Sequence, residues 1–163
     1  MKGERRNVFK RYLLMKPSKR GIIEWGILAF SVFFGFYFKI LPIPFSKYFL
    51  WIGILLFIIG GWIHGLSHRY HKQAHDNTEK IERIVTEGIY SKIRHPGYLG
   101  LMLNSLGFAL LWGSLLPVII AVFISIGYVL TALEEEKYLL EKFGRDYEKY
   151  MRDVKWRFIP RIF

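Results

Sequence analysis

Cysteine is absent from the 163 residues. Disulfides, zinc–thiolate centres and thiol nucleophiles are therefore excluded, and nothing implies an oxidising compartment. Internal repeats and low-complexity tracts are missing too. Acidic residues are few, 13 Asp plus Glu against 24 Lys plus Arg, which leaves a net charge of +11. Such an excess suits nucleic acid or an anionic membrane surface. Long stretches without any charge decide between the two. Tyr48–Ile63 and Pro96–Leu133 carry none, and Gly21–Leu41 has only Glu24 and Lys39, near its ends. With 52% hydrophobic and 18% aromatic residues, the chain is more apolar than a soluble domain of this length. The expected partner is the bilayer with its anionic lipids, not nucleic acid.

Pro96–Leu133 spans 38 residues, which as one helix would reach about 57 Å, nearly twice the hydrocarbon core. It must fold back, and Trp112-Gly113-Ser114 followed by Pro117 supplies the turn. The expected fold is all-α: an integral membrane protein of about four transmembrane helices, with a tight C-terminal hairpin and a cytoplasmic cofactor pocket. One domain is expected, divided into a basic interfacial arm (1–20), two spans (21–66), a cytoplasmic connector (67–95), the hairpin (96–133) and an amphipathic tail (134–163). Lys and Arg gather before Gly21, between Arg69 and Arg94, and after Leu133, and are missing from the hairpin. The positive-inside rule then puts both termini and the connector in the cytoplasm. Met1–Arg20 does not read as a secretory signal, because its basic stretch is long and no cleavage pattern follows the first span. Phe9, Tyr12 and Leu13, at helical spacing among basic residues, predict a helix lying on anionic lipid.

Four features carry candidate chemistry. His64, His68, His71 and His75 share one helix face by their intervals of four and three; a polar stripe leaving the membrane is the favoured reading, and no metal site is expected. Glu134-Glu135-Glu136 follows the last apolar residue, a self-repelling cluster that calls for a nearby cation, whether Arg94, a lipid head group or a positively charged cofactor. Glu136–Met151 has the pattern of an amphipathic helix, and 154–163 mixes aromatic and basic side chains suited to the interface. In Arg94-His95-Pro96-Gly97-Tyr98-x-Gly100, the proline suits the first position of a helix whose N-terminus attracts anions. Gly97 and Gly100 let another backbone or a ligand approach. An anion beside His95 and a cation beside Glu135 would match a zwitterion with an extra positive centre.

The order Thr86-x-Gly88-x-Tyr90-x3-Arg94-His95-Pro96-x-Tyr98-x-Gly100, an apolar hairpin, Glu134-Glu135, then Phe143-Gly144-x2-Tyr147-x2-Tyr150 resembles the isoprenylcysteine carboxyl methyltransferase family, which shares its fold with phospholipid N-methyltransferases. The resemblance covers about half the chain, from Glu82 onward; the first two spans match in hydropathy only. It implies S-adenosylmethionine as the methyl donor, bound on the cytoplasmic side, and a lipid-like acceptor reaching it from the bilayer. By the same resemblance Glu82, Arg83, Ile84, Val85, Tyr90, His95, Pro96, Tyr98 and Glu134 are expected to bind the donor. Glu135 and His95 are expected to be catalytic, and Arg94, Thr131 and Glu135 to meet the acceptor. One departure stands out: Thr131 occupies the position where eukaryotic prenylcysteine enzymes of the family place an arginine that holds the substrate carboxylate. Phospholipid amine methylation is therefore the first alternative.

Sterol C14-type reductases offer another resemblance, through the same Arg-His-Pro-x-Tyr-x-Gly and a similar aromatic and basic ending. Where they carry basic residues after the hairpin, this chain has Glu134–Glu136, which opposes binding of a nicotinamide dinucleotide phosphate. A tetraspan scaffold without catalysis is the remaining alternative.

Overall fold

The structure, a computed structural model, describes residues 11–13, 15–71 and 81–162. Among these no strand occurs. Helix α1 is Pro17–Tyr37, α2 Ser46–Tyr70, α3 Pro96–Leu110, α4 Leu115–Phe143 and α5 Arg145–Asp153, with a 3-10 turn at Gly88–Ser91. The chain is an all-α integral membrane protein. Its apolar faces look outward, where lipid is the solvent: Ile22, Phe30, Phe33, Trp51, Trp62 and Phe123 are all more than half exposed. Helices α1, α2 and α4 are long and apolar enough to cross a bilayer.

The expected hairpin does form, but unequally. Its turn falls at the expected place, with Gly113 at φ 65°, a conformation that costs glycine nothing. A hairpin of two short helices was expected, yet only α3 is short: it has 15 residues and α4 has 29, or about 22 Å against about 44 Å. Of the two arms, only α4 therefore reaches across the roughly 30 Å hydrocarbon core by itself. Both arms start from the same turn, so α3 ends far short of α4. That mismatch opens a recess at the charged end of the molecule, floored by the N-terminus of α3 and walled by the upper part of α4.

At the opposite end the two turns lock together. Ile43 N–H donates to Gly113 O at 2.9 Å, Leu115 N–H to Leu41 O at 2.8 Å, and Ser114 Oγ to Ile40 O at 2.7 Å. Within the membrane, α2 and α3 come very close because glycines face glycines. A Cβ on Gly60 would fall 2.7 Å from Gly100 O, and one on Gly107 would fall 2.6 Å from Phe57 N. In hydrocarbon, where apolar burial drives little association, such backbone contact is what holds helices together. Leu28, Ala109 and Ala121 fill the space between α1, α3 and α4.

Two expectations at the charged end are corrected. The amphipathic helix was read as starting at Glu136, but α4 runs unbroken to Phe143. Gly144, at φ 54°, then turns the chain into α5. Glu134–Glu136 thus lie inside a helix, on several of its faces. The arm does not simply lie on lipid either: Leu13 is buried and the Tyr12 hydroxyl donates to Glu24 Oε1 at 3.3 Å. Phe9 and His75 lie outside the described residues. A small second core, Ile81, Leu139, Tyr147, Tyr150 and Val154, caps the recess.

Candidate active site

The recess holds a cavity of about 260 Å³. Its floor is built on the α3 N-terminus. His95 is the N-cap residue, and Pro96 occupies the first turn, as its fixed φ and missing N–H favour. The C-terminal tail straps across this start: Arg94 N–H donates to Trp156 O and His95 N–H to Arg157 O, both at 2.9 Å. Phe158, buried, sets its ring 5.9 Å from that of His95. The tail, expected at the membrane interface, is thus in large part packed against the α3 start, with Ile159 and Ile162 left exposed.

Glu136 is the charge hub. It is 3% exposed, and its Oε1 accepts from Arg94 Nε at 2.8 Å and His95 Nε2 at 3.1 Å. Its Oε2 accepts from Arg157 Nε at 3.0 Å. Three cation-capable groups thus satisfy the carboxylate that burial would otherwise penalise, and the clustering of the three glutamates is explained for this member. Arg94 also donates through Nη1 to the carbonyls of Val154 at 2.6 Å and Lys155 at 2.8 Å. It borders the cavity, yet these bonds make it a bolt between α3, α4 and the tail.

Glu135 points the other way, into the cavity. His95 Nδ1 lies 3.9 Å from Glu135 Oε2, and the Tyr98 hydroxyl is the carboxylate's hydrogen-bonding neighbour. Because a carboxylate only accepts, the Nε2 bond to Glu136 takes a proton of His95, so a singly protonated ring turns its Nδ1 lone pair toward Glu135. The rings of His95 and Tyr98 stack at 5.8 Å, Tyr98 and Tyr128 at 5.7 Å, and the Arg20 guanidinium lies 4.8 Å from the Tyr128 ring centre. A line of π faces therefore runs from the α3 start to α1.

Of the residues expected to meet donor or acceptor, Arg83, Ile84, Val85, Tyr90, Arg94, His95, Tyr98, Thr131 and Glu135 border this one cavity. Three do not. Glu82 is exposed, Pro96 is fully buried beneath the floor, and Glu134 pairs with Lys137 on the outer face of α4 at 2.6 Å. Tyr90 shares a hydrogen bond of 2.7 Å with Ser67 Oγ. Burial pushes its phenol up to about 12, so it stays protonated at neutral pH. Burial likewise raises Tyr147 and Tyr150, and the Tyr150 hydroxyl donates to Tyr90 O at 2.9 Å. Gly88 of the Thr-x-Gly pattern has φ 59°, and the Tyr70 ring lies where its Cβ would be.

The histidine face also lines the cavity. His64 Nδ1 is 3.2 Å from Gly97 O, so this nitrogen is the donor and the Nε2 of a neutral His64 accepts from His68 Nε2 at 3.0 Å. Among the described residues no group of three or more His, Asp or Glu is arranged to hold a metal.

Sequence reasoning passed over Arg20, Tyr128 and Ser67. The visible signal for Arg20 was its i, i+4 spacing to Glu24, a carboxylate at the edge of an apolar span.

A helical integral membrane protein with an acid, an imidazole and stacked phenols lining a recess at its charged end is the class that the fold and the site define. Comparison with known proteins narrows it. Residues 48–146 match the phospholipid methyltransferase family, and the chain belongs to that family. It is 31% identical over 109 residues to protein-S-isoprenylcysteine O-methyltransferase of Saccharomyces cerevisiae, covering 63% of this chain and 46% of that protein. It is 33% identical over 76 residues to the Schizosaccharomyces pombe protein of the same name, covering 46% and 32%. It is also 30% identical over 93 residues to 7-dehydrocholesterol reductase of Danio rerio, covering 56% and 20%. The matched region spans under half the length of each of these relatives.

Proposed function

We propose that the protein transfers a methyl group from S-adenosylmethionine, taken up from the cytoplasm, to a lipid or prenylcysteine-type acceptor embedded in the bilayer. The observation that carries this reading is the convergence of His95, Tyr98 and Glu135 on one cavity of a chain in the phospholipid methyltransferase family.

The residues suit the donor's chemistry. A sulfonium is favoured by a carboxylate and by aromatic faces, here Glu135 with Tyr98 and Tyr128. Apolar groups for an aromatic base stand at Ile81, Ile84, Val85 and Leu139, and hydrogen-bond donors at Tyr90 and the histidine face. The donor supplies an activated methyl; the chain aligns the partners and excludes water. A carboxylate acceptor needs no base, whereas an ammonium must first lose a proton to Glu135 or His95 Nδ1. Reduction is disfavoured by Glu135, a carboxylate in the cavity that opposes a phosphate, and by Glu136, which holds Arg94 and Arg157.

Calorimetry on the protein in lipid nanodiscs tests the class. S-adenosylmethionine is expected to bind at micromolar concentration; binding of NADPH instead would favour a reductase, and binding of neither a scaffold. Lipid mass spectrometry after incubation with labelled donor then identifies the acceptor.

A further inference from the structure

Ser67 of α2 borders the cavity and is fully buried, yet its hydroxyl does not bond to its own helix. A helical serine usually gives its proton to a carbonyl three or four residues back. Ser31 does so to Leu28 O at 2.7 Å, Ser105 to Met102 O at 3.0 Å and Ser125 to Ala121 O at 2.8 Å. Ser67 Oγ turns instead to the Tyr90 hydroxyl at 2.7 Å. Gly97 leaves the room, since a Cβ there would fall 2.9 Å from that Oγ. With no carbonyl taking its proton among the described residues, Ser67 donates to the Tyr90 oxygen. The phenol keeps its own proton at neutral pH. A hydroxyl that accepts one bond donates along another direction, and here that direction is the cavity that Tyr90 lines.

The neighbours of Tyr90 indicate what that proton meets. The His71 ring lies 5.7 Å from the Tyr90 ring, and Arg83 is close enough to act on the His71 imidazole; both border the cavity. This wall is rich in N–H and O–H donors, whereas Glu135 brings negative charge from α4. His95, beside which an anion was expected, has Nε2 on Glu136 and Nδ1 toward Glu135, so it does not offer an anion a donor. Resting on the methyltransferase reading, we propose that Ser67 is a positioning residue that aims the Tyr90 hydroxyl at the amino-acid carboxylate of the donor. A phenol already aimed loses little freedom when the donor binds. The sulfonium then falls toward Glu135 and the stacked phenols, and the carboxylate of the same molecule toward Tyr90 and Arg83.

Calorimetry on the full chain in lipid nanodiscs tests this with S-adenosylhomocysteine and S-adenosylthiopropylamine, which share the adenosine and the ammonium and differ only in the carboxylate. The wild type is expected to bind the carboxylate probe tighter by about ten-fold or more, the scale of a charge-assisted hydrogen bond. Tyr90→Phe removes most of that preference. Ser67→Ala weakens S-adenosylhomocysteine about three-fold or more, the scale of a neutral hydrogen bond, and leaves the thiopropylamine as in the wild type. Added to Tyr90→Phe, it costs nothing further, as expected of a residue that acts through Tyr90. In turnover, Ser67→Ala raises the KM for the donor more than it lowers kcat. Equal losses for both probes in Ser67→Ala, or losses that add in the double variant, mark a merely structural serine and overturn the proposal. Wild-type affinity that ignores the carboxylate overturns it too. If Tyr90→Phe does not fold, Ser67→Ala with the two probes decides. A wild type that binds neither probe nor S-adenosylmethionine overturns the methyltransfer reading and this role with it; one that binds them, with no selective loss in Ser67→Ala, overturns the role of Ser67 alone.

Discussion

Three adjacent glutamates illustrate how far a side chain's role depends on its direction. Glu134 faces out to Lys137, Glu135 lines the cavity and Glu136 is buried among Arg94, His95 and Arg157. The triplet was visible in the sequence, and so was the need for a cation; which glutamate met which partner was not, because successive helix positions are about 100° apart and only packing fixes the phase. Two predictions follow at this scale. Glu135→Gln and His95→Ala each abolish methyl transfer, followed with labelled donor, while circular dichroism shows the fold intact; full activity in both removes them from the site. Glu136→Gln acts on stability instead. Leaving Arg94, His95 and the half-buried Arg157 without their carboxylate costs about 3 kcal/mol, a drop in melting temperature on the order of 10 °C for a chain of this size.

Among the elements, the α2–α3 contact and the end of α2 respond to different perturbations. Gly107→Val drives a side chain into the backbone at Phe57, which cannot yield, so the variant is expected to lose its single peak in size-exclusion chromatography. Gly26→Ala, with open space around it, is expected to behave as wild type. His71 caps α2, and burial, then Arg83, push its imidazole below the ordinary value. The unfolded chain therefore binds that proton more readily, so stability is full above the unfolded value near about 6.5 and is lost as pH falls through it. His71→Gln should flatten the fall in melting temperature between about pH 7 and about pH 5. The helices were legible in the sequence because hydropathy reports them directly. The unequal arms of the hairpin were not: one uncharged run gives no sign of where its turn leaves two helices of different length.

For the whole molecule, the charged end and the hairpin end should lie on opposite sides of the bilayer, with basic residues in the cytoplasm. The absence of cysteine makes this simple to check. Lys92→Cys at one end and Phe45→Cys at the other, both exposed positions, are expected to react with a membrane-impermeant thiol reagent from opposite faces of sealed vesicles. Labelling of both from one face would overturn the orientation.

The sequence by itself determined the solvent, the helical class, the turn at Gly113 and the recognisable Arg-His-Pro-x-Tyr-x-Gly start, because each rests on local composition or on a backbone preference. The tertiary structure decided what those residues face. It made Arg94 a bolt between α3, α4 and the tail, strapped the tail across the start of α3, and carried Arg20 from the first helix to Thr131 in the fourth. Those outcomes join residues up to 111 positions apart in the chain, and no local pattern encodes which buried charges will meet when helices of unequal length pack.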